Sequence, residues 1–242
     1  MFLKDPGLEP HLGALLTGML VAMTDRGPDA AGIASYGSGV PGRAKLTLQS
    51  GDPAGDFSGL TELAGADAPI AVKDSHCVMT LPANRLAAVR AALADHRPEI
   101  TVMSAGAGIE IYKEVGLPRD VTARFDLAAM AGTHGIGHTR MATATAVTTQ
   151  GAHPFSTGAD QCLVHNGSLS NHNAVRRVLK RAGMTFQTEN DTEAAAAFLT
   201  HRIAQGDSLG AAMQATLTGL DGFFTFVVGT ANGFGVVRDP IA

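Results

Sequence analysis

The 242-residue sequence predicts an α+β fold in which antiparallel sheet carries helices on its outer faces. Three observations carry that expectation. Short strand-like runs fill much of the chain, two adjacent helical patterns follow Gly167, and the C-terminus closes on a hairpin. In that hairpin Phe223 to Val228 and Phe234 to Val237 flank Ala231-Asn232-Gly233, and Asn-Gly between apolar runs is a strong turn signal.

Taken in order, Phe2-Leu3-Lys4 resembles the end of a strand. Leu8, Leu12, Leu15, Leu16, Met19, Leu20 and Met23 recur at three- and four-residue spacing, the stripe of an amphipathic helix. Arg26-Gly27-Pro28-Asp29 breaks it, because proline disfavours helical geometry in the residue before it. Strands are expected at Gly32 to Tyr36 and around Leu46 and Leu48. Residues 50 to about 98 read as looser, part of a family-variable insertion at about 50–133 within a single 1–242 domain, with one helix whose Pro82 suits the first turn and whose Leu86, Val89 and Leu93 share a face. Further strands are expected at Ile100 to Met103 and Ile109 to Tyr112. After Gly167, Ser170 is placed to cap a helix with Val175, Val178 and Leu179 inward and Gly183 past its end. Asn190 with Glu193 opens a second helix through Ile203, and Ser208 a third around Leu209, Met213 and Leu217.

Composition narrows the function classes. Hydrophobic residues make up 45% and charged residues 17%, enough apolar material for a sizeable core. The net charge is −4, and the densest basic cluster, Arg176, Arg177, Lys180 and Arg181, has the spacing of a solvated helix face, so no footprint for nucleic acid is present. Leu12 to Met23 is too short and too interrupted to span a membrane, and a soluble, cytoplasmic protein is expected. Cys77 and Cys162 are expected to be reduced packing residues. Ser75-His76-Cys77 invites a nucleophile reading, but a base adjacent in sequence is rarely adjacent in space.

The chemistry concentrates in residues 135–167. Arg140, at the end of an expected strand, can fork onto a carboxylate with two parallel hydrogen bonds; the plain alternative is a surface arginine. Asn166 and the Gly167 N–H can converge on a developing oxyanion, or merely form a tight turn. Asp191 at a helix start normally complements the exposed N–H groups there. Histidines 134, 138, 153 and 165 lack the spacing of a metal site, and neither metal nor cofactor is expected.

Five segments in order nevertheless resemble one family. They are Asp25-Arg26-Gly27-Pro28-Asp29-Ala30-Ala31-Gly32-Ile33, Gly137-His138-Thr139-Arg140, Ala152-His153-Pro154, Val164-His165-Asn166-Gly167, and Thr188-Glu189-Asn190-Asp191-Thr192-Glu193. The set is similar to the type-2 glutamine amidotransferase domain, nearest in likeness to stand-alone subunits of glutamate synthase or N-methylglutamate synthase type. The resemblance implies a four-layer αββα sandwich of the N-terminal-nucleophile hydrolase type. It also implies hydrolysis of the glutamine side-chain amide through a cysteine thioester, with ammonia passed to a synthase partner. By the motifs, Arg140 would hold the α-carboxylate of L-glutamine and Asp191 its ammonium, with Thr143 assisting. Asn166 and Gly167 would form the oxyanion hole, and Arg26 and Asp29 would support the nucleophile's end of the cleft.

Two departures accompany the likeness. Met141 stands where synthase-type members often carry tryptophan. The family begins Met-Cys-Gly-Ile, whereas this chain begins Met1-Phe2-Leu3-Lys4, so the nucleophile is absent and truncation at both ends is expected, the chain as given being inactive alone. A nucleophile-less glutamine-binding or scaffold subunit is the main alternative, and another N-terminal-nucleophile amidohydrolase a weaker one.

Overall fold

Residues 1–52, 57–65, 67–141 and 146–242 are described by a computed structural model. Pro6–His11 forms a 3-10 turn whose Asp5 carboxylate accepts from the Gly7 N–H, and it leads into α1 (Leu12–Ala22). Only Leu12, Leu16 and Leu20 of the expected stripe are buried; Leu8, Leu15, Met19 and Met23 are exposed. The i, i+4 line alone faces the sheet, so the buried stripe is narrower than the spacing suggested.

The breaker holds: β1 (Ala30–Tyr36) starts directly after Asp29, and β2 (Arg43–Ser50) follows. The segment that follows, read as loose up to about residue 98, is structured, and the strands expected at Ile100 to Met103 and Ile109 to Tyr112 are present. It contains α2 (Leu60–Ala64), β3 (Ile70–Lys73), β4 (His76–Pro82), α3 (Leu86–His96), β5 (Ile100–Gly106), β6 (Ile109–Val115) and α4 (Pro118–Arg124). Sheet order β3-β4-β2-β5 makes a four-stranded antiparallel sheet covered by α2 and α3 around Leu46, Leu60, Met79, Leu81 and Leu93. Pro82 ends β4 rather than opening α3, which starts after a 3-10 turn at Ala83–Arg85. Strand β3 escapes a reading by apolar runs because it has only four residues, two of them exposed, whereas β4, mostly buried, is an apolar run that was not expected.

The rest of the chain adds β7 (His134–Arg140), β8 (Cys162–Leu169), α5 (His172–Arg181), α6 (Asp191–Ala204), α7 (Leu209–Gly219), β9 (Gly222–Thr230) and β10 (Gly233–Arg238). One antiparallel sheet runs β6-β1-β7 and a second β10-β9-β8. Ala34, Tyr36, Ile109, Ile111, Ile136, Cys162 and Val164 pack between them. On the outside, α1 and α4 cover the first sheet through Leu12, Leu16, Leu20, Val121 and Ile33, and α6 and α7 cover the second through Ala195, Leu199, Met213, Phe224 and Phe226. The order is helix, sheet, sheet, helix, the αββα layering the resemblance implied.

Several local expectations change. Ser170 does not cap α5; its hydroxyl donates to Asp221, and Asn171 precedes the helix without a side-chain cap. Val178 and Leu217 face outward, 60% and 44% exposed. Arg176, read as solvated, is buried and donates to Asn173, Glu189 and the Thr188 and Asn190 carbonyls. Asn190 and Ser208 cap α6 and α7, accepting from the Thr192 and Ala211 N–H groups. Glu193 faces inward instead of back to the cap, accepting from the Gln187 and Thr188 N–H groups. Cys77 and Cys162 are free and buried, and burial pushes their thiols up to about 12 and about 11. Among the described residues no helix is long and apolar enough to cross a membrane.

Candidate active site

The site forms where β7 and β8, one from each sheet, open a cleft of about 590 Å³ against the start of α6. Register brings its parts together: Ala30 of β1 lies opposite Arg140, Gly32 opposite His138, and Asn166 of β8 opposite Thr225 of β9. Arg26, Arg140, Asn166, Gly167 and Asp191 all line this cleft. Asp29 lies just behind it, its N–H donating to the Arg140 carbonyl at 3.0 Å. Thr143 lies outside the described residues. Met141 is exposed at the rim.

Arg140 is fixed from within. Its Nη1 donates to the Gly151 carbonyl at 2.9 Å, and the Asn190 amide reaches the same carbonyl at 3.4 Å. One backbone oxygen thus ties the arginine to the residue before Asp191. The Asp191 carboxylate accepts from the Leu169 N–H at 2.9 Å and keeps its other oxygen 3.8 Å from His165 Nδ1. A fixed cation and a fixed carboxylate in one cleft suit a ligand carrying both charges.

Between them stand Asn166 and Gly167. Gly167 has φ of 141°, and a Cβ there would meet the Phe223 carbonyl at 2.0 Å, so no other residue fits without displacing β9. The strand, rather than the tight turn that Asn-Gly also suggests, is shaped for glycine here, and Asn166 stays exposed to the cleft.

Beneath the floor lies a network that sequence reasoning did not assemble. His138 stacks on His153 with ring centroids 4.2 Å apart. The His165 N–H donates to His153 Nδ1 at 3.2 Å, and the Thr192 hydroxyl lies 3.1 Å from His165 Nδ1 and 3.3 Å from His153 Nε2. Burial lowers the His138 imidazole to about 4 and holds His153 well below its usual range. His165 is lowered too, by burial, against the opposing pull of Asp191. The three are neutral hydrogen-bonding groups at neutral pH. They were visible in sequence as histidines within the motifs, but their mutual contact depends on three separate segments.

His134 sits apart, stacked on Tyr36 with Nε2 2.8 Å from the Thr230 carbonyl. Among the described residues no group of histidines, cysteines and acids is placed to hold a metal. Ser75 and His76 do meet, with Oγ 3.1 Å from Nδ1, contrary to the expectation for sequence neighbours. The Ser75 hydroxyl donates to Glu114 and His76 is wholly buried, so the pair belongs to packing rather than to the cleft.

Comparison with known proteins agrees with this geometry. Residues 138–242 match a family described as a glutamine amidotransferase domain. The chain is 63% identical over 245 residues to the glutamine amidotransferase-like protein GlxB of Rhizobium meliloti, covering 100% of this chain and 81% of the relative. It is 32% identical over 259 residues to a putative glutamine amidotransferase of Methanothermobacter thermautotrophicus, covering 98% of this chain and 82% of that one. A solved structure titled as the allosteric regulatory enzyme of purine biosynthesis shares the fold, with a TM-score of 0.56 at 20% identity; the match covers 98% of this chain and 35% of the longer one. Ordered motifs, αββα layering and relatives aligned over the whole chain lead to one conclusion: this chain belongs to the type-2 glutamine amidotransferase family.

Proposed function

We propose that the cleft binds L-glutamine and that the intact protein, as one amidotransferase domain, hydrolyses its side-chain amide through a cysteine thioester, passing ammonia to a synthase partner. The observation that carries this reading is the pairing of Arg140 and Asp191 across one cleft, with Asn166 and Gly167 between them. Arg140 takes the α-carboxylate and Asp191 the ammonium. Asn166 Nδ2 and the Gly167 N–H then face the amide carbonyl, where negative charge develops as a thiolate attacks. Arg26 at the rim and Asp29 behind Arg140 support the nucleophile's end, and Thr143 assists binding.

The route for the nucleophile is also suggested by geometry. Residues 1–3 lie antiparallel on the outer edge of β7, with Phe2 bridged to His134 and Met1 exchanging bonds with Gly135. An upstream extension in the same register advances one β7 residue per step and reaches the level of Arg140. A Cys-Gly-Ile start on such an extension would place its thiol, and the α-amine serving as its base, in the cleft. The Met1 amine donates to the Gly135 carbonyl at 2.7 Å.

The test has two arms. Calorimetry with glutamine on this chain is expected to show binding; none would remove the reading of the cleft. Extension upstream with a Cys-Gly-Ile start is expected to give glutaminase activity, with Asn166→Ala lowering kcat by about 10²–10³-fold. An unchanged rate in that variant would remove Asn166 from the oxyanion hole.

A further inference from the structure

Lys113 on β6 is the one lysine of the described residues wrapped in backbone carbonyls beneath the cleft. The residue is 4% exposed, and its ammonium donates to Gln150 O at 3.0 Å, Ala152 O at 2.7 Å and Pro154 O at 3.2 Å. It also sits 4.4 Å over the Phe155 ring. These carbonyls belong to the segment that carries Gly151 O, the shared acceptor of Arg140 and Asn190, and His153, which stacks on His138 and accepts from His165 N–H. The Gly151 carbonyl tie between the two charged ends of the cleft therefore lies in a turn that one buried ammonium holds. Gly32 makes room for it, since a Cβ there would meet the His153 carbonyl at 2.0 Å and Lys113 Cβ at 2.6 Å.

We infer that Lys113 is a positioning residue for the glutamine cradle, its ammonium holding the Gln150–Pro154 turn so that Arg140 and Asp191 keep the spacing of one amino acid. The inference rests on the glutamine reading of the cleft, but the positioning itself can be read without ligand.

Charge state makes the role testable. Burial lowers Lys113 to about 7, opposed by the Glu193 carboxylate on α6 and reinforced by Arg140 on β7. His153 in the turn and His76 on β4 also face it, and both are held neutral by burial. Because the folded value lies below the ordinary 10.5, the unfolded chain binds the extra proton between about 7 and 10.5. Global stability from this group thus rises as pH climbs through about 7, while the ammonium's hold on the turn is lost. A purely structural lysine would not separate those two effects.

The experiment follows amide exchange, corrected for base catalysis, and glutamine affinity on this chain from pH 6 to pH 8.5. Protection at the His165 N–H, which donates to His153, is expected to fall by about tenfold across that range, with glutamine affinity weakening in parallel. Lys113→Met is expected to abolish both steps and to weaken glutamine at pH 6 by about tenfold. The Met1 amine, also lowered by burial, is distinguished because its step would survive in Lys113→Met. NMR titration of the Lys113 Nζ in the unsubstituted chain is independent of whether the variant folds. Flat protection at His165, a Lys113 midpoint near its ordinary value, or a folded Lys113→Met that binds glutamine within twofold of the parent each overturns the inference. If the parent binds no glutamine, the cleft reading fails, and the His165 amide and the Nζ titration still decide the role of Lys113.

Discussion

Arg140 and Asp191 matter because each has a backbone partner. Arg140 is bonded to Gly151 O and Asp191 to the Leu169 N–H, so both charges stay in place with no ligand between them. A cradle fixed before binding loses less entropy on binding. Gly167 illustrates the same economy of shape: its φ of 141° turns β8 so that Asn166 enters the cleft. Gly167→Ala must either strain the backbone or push away the Phe223 carbonyl, and a loss of about 1–3 kcal/mol is expected. Urea unfolding would read this as a lower midpoint at unchanged slope, and an unshifted midpoint would show that β9 yields without cost. The motif residues could be named from sequence because a glycine or an arginine in such a pattern has few roles. For Lys113 the parity with Ile109 and Ile111 in β6 pointed to their face, but only the tertiary structure shows which carbonyls it meets.

At the scale of elements, the start of α6 does two things at once. Asn190 accepts from the Thr192 N–H and its own amide reaches Gly151 O, so the cap that begins the helix also spaces Asp191 from Arg140. Arg176 of α5 grips the Thr188 and Asn190 carbonyls from below. Ser208, by contrast, caps α7 away from the cleft. Asn190→Ala and Ser208→Ala should each cost about 1 kcal/mol of stability as lost caps. Only Asn190→Ala should also weaken glutamine binding in calorimetry, and equal affinity in the two variants would mean that the cap has no part in spacing the site. Both caps were legible in the sequence, because a side-chain oxygen at a helix start needs only local geometry. The burial of Arg176 was not, because its partners in 188–190 return to α5 only through tertiary packing.

For the whole molecule, the acid response follows from histidines placed inside the layers. His76 is lowered to about 3, His138 to about 4, and His153 and His165 are lowered as well, in each case first by burial. A base whose folded value lies below its unfolded value takes up a proton on unfolding. Stability from these groups is complete above about 6.5 and is lost as pH falls towards about 4. With His134, also lowered by burial, unfolding between pH 6.5 and pH 5, above most carboxylate titration, should therefore take up roughly two to five protons. Stability curves over that range would measure the number, and uptake near zero would show that the histidine network is already charged in the native state.

The sequence by itself determined the class of the fold, the final hairpin, the caps at Asn190 and Ser208, and the motifs that carry Arg26, Arg140, Asn166, Gly167 and Asp191, since each is set by local backbone preference or by an ordered pattern. Tertiary structure decided the rest. It narrowed the α1 stripe to Leu12, Leu16 and Leu20, joined β3 and β4 of the stretch read as loose to the expected β2 and β5 in one sheet, and placed β6 in the sheet beside β1. It also assembled His138, His153, His165 and Lys113 beneath the cleft. The reason is that burial and mutual contact are properties of where segments from distant parts of the chain meet, and no periodicity within one segment encodes which neighbour will cover it.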